Sequence, residues 1–375
     1  MAVTPLAAPE SRETGNVLVR AATFIARILL SLFVPIVTFI VLYAGFVFLR
    51  DSGAPKSVVA VVAIIWGVGG VALLYLVSNW FVERMGDRWR SRLQPFVFVG
   101  PAIGILIWYL ALPAVRTFYA SLFGPSGQEF VGLKNYLAVF SLQPNNPMMV
   151  AFRNNIMWIV FGATGAVILG LLVAVLADRS RFESFAKAMI FMPMAISMVG
   201  GAIIWNLMYA VNPNIGLINS IYTNLTGNPP VAWTAANQPW NNLFLILIMI
   251  WLQAGFAMVL FSAAIKGIPG EILEAARVDG ANEFQVFFRI MIPYIMGTII
   301  TVATTVIIFT LKIFDVVWVM TGGQFNTQVI ATQFYREYFT NQNAGYGSAI
   351  AIVLLIAVVP VMIYNLRQFR SQEAF

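Results

Sequence analysis

The sequence predicts an all-α, polytopic membrane protein of about eight transmembrane helices. Of its 375 residues, 60% are hydrophobic and 10% charged, whereas a soluble domain carries about a quarter charged residues. Long apolar runs recur along the chain, each able to cross a hydrocarbon core of ~30 Å, which takes roughly 20 helical residues. Lys and Arg gather in alternate connections, the bias that orients membrane proteins with their basic loops inside. There is no Cys and no His, which excludes disulfides, thiol chemistry and His-based metal or acid–base sites. The net charge of +7 follows from basic inner loops and requires no nucleic acid.

Residues 1–23 read as a polar, partly disordered cytoplasmic tail without a signal-peptidase pattern. Spans are expected at residues 24–48 and 58–82, joined by a tight polar turn at 50–57. The run ERMGDRWRSR at 83–92 directly abuts spans and reads as a topology anchor rather than a nucleic-acid patch. A third span at 96–118 is expected to be kinked by Pro101 and Pro113, and a polar connection follows to 151. The fourth, at 152–177, carries Gly162, Gly165 and Gly170, which allow close helix contact. After the charged loop 178–187, a fifth span at 188–209 is expected to bend at Pro193 or at Gly200–Gly201. The polar stretch 212–242 places Trp233 and Trp240 where an interface suits them. Spans six, seven and eight fall at 243–265, 294–311 and 348–366. With the amino terminus inside, most of the 22 Lys and Arg lie on the inner face and both termini are cytoplasmic.

Between spans six and seven lies GIPGEILEAARVDGANEFQVFFRIMIP, Gly267 to Pro293. Pro269 and Gly270 interrupt what precedes them, and Glu271 to Asp279 reads as a short helix with acids near its start. Gly280 suits a left-handed position just past a helix end. Asn282 with Gln285 resembles a capping box for a second helix, on which Phe284, Phe287, Phe288 and Met291 share one face. Such a stiff helix–turn–helix can transmit a push from a partner; an ordinary connecting loop is the alternative.

Glu274, Ala275 and Ala276, then Gly280, then Ile290, Ile292 and Pro293 resemble the EAA loop of ABC importer permeases, with Ile292 in place of a leucine. Residues 130–136 (FVGLKNY) and 314–323 (FDVVWVMTGG) are similar to outward segments of the sugar-type branch. Residues 239–269 look closest to the α-glucoside permeases. The resemblance implies a type I ABC importer permease core at 93–375, with the coupling loop at 266–293 and two additional helices at 24–92. It implies an ATPase subunit dimer docked on Glu274, Ala275, Ala276, Asp279 and Gly280, with Mg-ATP on that partner and no cofactor on this chain. It further implies a second homologous permease, an extracytoplasmic sugar-binding protein, and residence in the bacterial inner membrane. Maltose-type relatives would contact sugar at the positions of Trp251, Leu252, Gln253, Phe256, Phe309 and Thr310; Gln253, Phe256 and Thr310 differ in residue type from those relatives.

For a Trp or Phe in a span the alternative is plain packing, and Gln253 could equally make an interhelical hydrogen bond. Lys312 and Asp315, three apart, could pair on one helix face. No Walker-type phosphate loop is present, so the chain is expected to be a transport subunit and not itself the ATPase. The functional alternatives are an ion-coupled secondary transporter, which usually carries carboxylates inside its spans, and an importer for another solute such as glycerol phosphate.

Overall fold

The computed structural model describes residues 37–38, 40–143, 146–178 and 180–372. The expected tail at 1–23 and the first part of the expected first span, 24–36, lie outside the described residues. Among those described the chain is helical, with one isolated antiparallel bridge between Phe123 and Phe130. It divides at Pro113 and Ala114 into two compact units.

In the first unit, α1 (residues 40–51) and α2 (Lys56–Glu83) form a hairpin across the expected turn. They meet closely where Trp66 Nε1 donates to the Leu42 carbonyl at 3.4 Å. Helix α3 begins at Asp87 and runs through a π-turn at Ile107–Ala111 to Ser121. The basic run is therefore a three-residue turn followed by the first turns of α3, and Arg84 lies 3.7 Å from the centre of the Trp80 ring. The expected kinks at Pro101 and Pro113 do not interrupt this helix. The wider π-turn directly before Pro113 gives its ring room that an α-turn lacks.

The second unit contains α4 (Lys134–Val139) and α5, which runs from Pro147 to Asp178 with a π-turn at Trp158–Ala163. Next come α6 (Glu183–Phe191), α7 (Met198–Met208), α8 (Leu217–Thr226), α9 (Trp240–Lys266), α10 (Gly270–Val278) and α11 (Glu283–Val286). The chain closes with α12 (Met296–Leu311), α13 (Asp315–Thr321), α14 (Ile330–Tyr335) and α15 (Ala344–Gln372). Helix α9 is uncharged until Lys266, and at 1.5 Å per residue it extends about 40 Å, enough to cross a bilayer core. It is the axis of the unit. Leu245, Ile248, Met249, Met258 and Phe261 on α9 are buried against Trp158 and Ala166 of α5 and Val302 and Val306 of α12. The three glycines of the fourth span work as expected, since a Cβ on Gly170 would fall 2.5 Å from the Ala257 Cβ and 3.0 Å from the Ala254 carbonyl.

Five described helices are long and apolar enough to cross a membrane, and two bent pairs bring the number to seven. These seven coincide with expected spans two to eight. The fifth span breaks by 102° between Ala195 and Met198, rather than at Gly200–Gly201. Pro193 sits in a 3-10 turn, and Ser197 caps α7 by accepting the Gly200 N–H at 3.0 Å, so the glycine pair lies inside the new helix. The seventh breaks by 71° at Ile295. Lys312 and Asp315 do not form the expected pair: α12 ends at Leu311 with Lys312 just beyond it, and Phe314, with φ −135°, precedes a new helix starting at Asp315. Lys312 Nζ instead lies 6.0 Å from the centre of the Phe309 ring.

Candidate functional site

The segment between α9 and α12 is a rigid elbow. Gly280 adopts φ +82°, the left-handed conformation expected of it. The capping box forms: Gln285 N–H donates to Asn282 Oδ1, and Asn282 N–H to Gln285 Oε1, both at 2.9 Å. Across the turn, Arg277 Nε donates to Glu283 Oε1 at 3.0 Å, joining α10 to α11. Ile268, Val286, Met291 and Ile295 are buried beneath the elbow, with Leu273 and Ala276 of α10 packed on them. Leu171, Ile265 and Ile299 pack against both this cluster and the main core. The elbow core is therefore continuous with the packing of α5, α9 and α12.

The opposite face of α10 presents Glu271, Glu274, Ala275 and Val278, at i, i+3, i+4 and i+7, to the outside. Of the five residues expected to dock a partner, Glu274, Ala275, Asp279 and Gly280 are exposed, whereas Ala276 is half-buried toward the elbow core. Val278, 87% exposed, and Phe284, 78% exposed, add an apolar tip, and neither is among the five residues expected to dock the partner. The spacing from Glu271 to Val278 would have revealed the first. The expected common face of Phe284, Phe287, Phe288 and Met291 does not exist as one surface. A π-turn at Phe287–Met291 shifts the register, so Met291 is buried while Phe284 and Phe288 are exposed.

The six expected path residues are not gathered round one point. At about 100° per residue, Leu252, Gln253 and Phe256 share one side of α9, and Trp251 lies about 140° from Phe256. Leu252 is buried, its Cδ2 3.0 Å from where a Cβ on Gly201 of α7 would stand. Trp251 is half-buried and meets Trp205 of α7 edge-on at 5.8 Å. Trp205 in turn contacts Tyr209, Tyr209 contacts Phe244, and Phe244 contacts Trp233, at 5.1 to 5.8 Å. This ladder of rings holds Trp251 in place. Gln253 is buried, and its amide makes no hydrogen bond among the described residues, so the interhelical bond considered for it is not formed. Thr310 is buried and donates to the Val306 carbonyl at 2.7 Å, while neighbouring Phe309 is 45% exposed.

A profile of the family described as binding-protein-dependent transport system inner membrane component matches residues 166–371. The chain belongs to this family. The matched region contains the elbow and all six candidate path residues. The chain is 50% identical over 281 residues to the osmoprotective compounds uptake permease protein GgtC of Synechocystis sp., covering 74% of this chain and 99% of that protein. It is 42% identical over 306 residues to the alpha-glucoside transport system permease protein AglF of Rhizobium meliloti, covering 78% and 90%. Its fold matches a bacterial ABC transporter involved in the import of the acidic polysaccharide alginate, with TM-score 0.64 at 21% identity over 76% of this chain and 99% of that one. The protein is a multi-pass inner-membrane ABC importer permease with a type I core, a transport subunit rather than an enzyme. Membership sets aside the ion-coupled secondary transporter.

At the end of this permease away from the elbow, a second rigid feature escaped the sequence reading. Asn154 Nδ2 donates to the carbonyls of Asn326 and Gln328, both at 2.8 Å. Asn155 accepts the Ile330 N–H at 2.9 Å, Asn241 donates to the Phe325 carbonyl at 2.7 Å, and Arg336 to the Gly322 carbonyl at 2.8 Å. These bonds hold Phe325 and Asn326 at φ +56° and +58°, a conformation that costs non-glycine residues energy unless the surroundings enforce it. The asparagine pairs 154–155 and 241–242, each at the entrance to an apolar run, were the available signal.

Proposed function

We propose that the protein is one of two permease subunits of an ATP-driven importer for an α-glucoside or maltose-type oligosaccharide. The observation that supports this best is the elbow: a capped, ion-paired helix–turn–helix with an exposed acidic and apolar face and a core continuous with the spans. An ATPase dimer carrying Mg-ATP grips Glu274, Ala275, Asp279 and Gly280, with Ala276 seating the elbow from within. The elbow and both termini face the cytoplasm, and an extracytoplasmic binding protein delivers the solute to the other side. ATPase closure draws the two elbows together, and the two bundles rock to open outward, an alternating-access cycle. The six helices from residue 93 form the core, and the helices before it are an addition.

The solute path runs along this permease's side of the shared cavity, with Trp251 and Phe309 offering ring faces, while buried Gln253 lies on the far side of α9 from Trp251. Leu252, Phe256 and Thr310 shape the wall behind them. The name of the osmoprotectant relative supports a second reading, in which the cargo is a small compatible solute. ATPase assays on the reconstituted complex, with cognate binding protein and either α-glucosides or betaine-type osmolytes, separate the two. Stimulation by α-glucosides is expected; stimulation by osmolytes alone refutes the sugar assignment. Trp251→Ala is expected to lower uptake at limiting solute about fivefold, as removing about 1 kcal/mol of ring contact would, while assembly is unchanged. Unchanged uptake would remove Trp251 from the path.

A further inference from the structure

The assigned roles leave one charged cluster unused. Where α5 ends, α6 begins and α9 ends, Asp178, Glu183, Lys187, Ser262 and Lys266 form a single network. Lys187 pairs with Asp178 and, at 2.6 Å, with Glu183. Lys187 Nζ donates to Ser262 Oγ at 2.5 Å, and Ser262 Oγ donates to Asp178 Oδ1 at 2.8 Å. Lys266, the last residue of α9, pairs with Glu183. The side chains of Lys187 and Asp178 are only 20% and 11% exposed, and Ser262 is buried. Asp178 and Lys187 are partly screened from water, so their pair is held more firmly than a fully exposed one.

Its place in the fold distinguishes this network from a surface ion pair. Ser262 and Lys266 belong to the last turn of α9, directly before the elbow, and Ile265 between them packs into the elbow core. One turn beyond Lys187, α6 crosses α9 with bare backbone: a Cβ on Gly255 would fall 2.6 Å from the Ile190 carbonyl and 2.9 Å from the Phe191 Cα. The two backbones touch at this crossing, and Ile190 of α6 packs against the main core beside it. The crossing can serve as a pivot, and the Lys187 network is a second contact that fixes the angle about it. Helix α6 then leads through the 102° break into α7, whose Gly201 and Trp205 touch Leu252 and Trp251.

We propose that Lys187 is a positioning residue: its network latches α6 to the last turn of α9, so that displacement of the elbow is passed through the broken span to the solute path. This rests on the elbow being the docking element proposed above. When the elbow is drawn by its partner, Ser262 and Lys266 move with α9 and carry Lys187 and Glu183, and hence α6, with them.

The absence of native cysteines allows spin labels to be placed at Phe185→Cys on α6 and Ile272→Cys on α10, both exposed positions. In the full chain in lipid nanodiscs, a single narrow distance distribution is expected. The neutral double variant Asp178→Asn/Lys187→Met, which leaves no lone buried charge, is expected to broaden it. Lys187→Arg alone is expected to retain the narrow distribution. In the complex with the second permease and ATPase, the double variant is expected to bind the ATPase normally while solute imported per ATP falls roughly fivefold or more, the lower edge of allosteric coupling. Should the double variant not fold, Ser262→Ala keeps the ions paired and is expected to broaden the distribution to a lesser extent. An unchanged distribution, or unchanged import per ATP with the double variant, overturns the latch. Failure of the wild-type chain to bind the ATPase refutes the docking reading instead, and the distance measurement on the chain alone still decides whether the network fixes α6.

Discussion

Glu274→Lys is expected to separate the permease from its ATPase without unfolding it. Glu274 is exposed and makes no ion pair among the described residues, so within the isolated chain the change costs little, about 0.5 kcal/mol or less. At a docked interface it sets a lysine where a carboxylate belongs, and like-charge juxtaposition costs several kcal/mol, roughly a hundredfold or more in affinity. Pull-down of the ATPase subunit by the purified variant, beside thermal unfolding of the variant alone, measures the two effects separately. Near-normal ATPase affinity with a normal Tm would mean that Glu274 is not at the interface.

Gly170→Ala is expected to be strongly damaging at the seam between α5 and α9. The added carbon would meet the Ala257 Cβ at 2.5 Å, the Met258 nitrogen at 2.9 Å and the Ala254 carbonyl at 3.0 Å. Two of those three atoms are backbone and none belongs to a side chain that can swing away, so α5 and α9 must part. A cost of about 3 kcal/mol is expected, the upper end for an overpacked core. Gly104→Ala in α3 is the matched control, since nothing lies within 4 Å of its Cβ position; it is expected to be neutral or stabilising by up to about 1 kcal/mol. Comparing the Tm of the two variants in detergent tests the seam, and equal shifts would contradict it.

Local rules made much of the architecture legible in advance. Span positions followed from apolar length, and the elbow from Pro269, Gly280 and the Asn282–Gln285 pair, because each of these acts through neighbours in sequence. What depended on distant partners was hidden. The break of the fifth span was decided by Ser197 capping α7, not by the more flexible Gly200–Gly201. The spacing of Lys312 and Asp315 promised an ion pair only on a continuous helix, and the helix stops just before Lys312. The Asn154 and Asn155 anchors reach residues more than 150 positions away, and the Lys187 network joins three helix ends. Among the candidate path residues, Trp251 and Leu252 turned out to touch α7, a contact that the sequence of α9 alone does not contain.

The elbow is proposed above as a cytoplasmic handle gripped by a separate ATPase. Val278, at the tip of α10 and 87% exposed, tests it most directly in a chain that has no native cysteine. A membrane-impermeant maleimide is expected to label Val278→Cys in inside-out vesicles, not in right-side-out ones, and labelling is expected to be blocked when the ATPase subunit is bound. Labelling from the outer face, or undiminished labelling beneath the bound ATPase, would contradict the account.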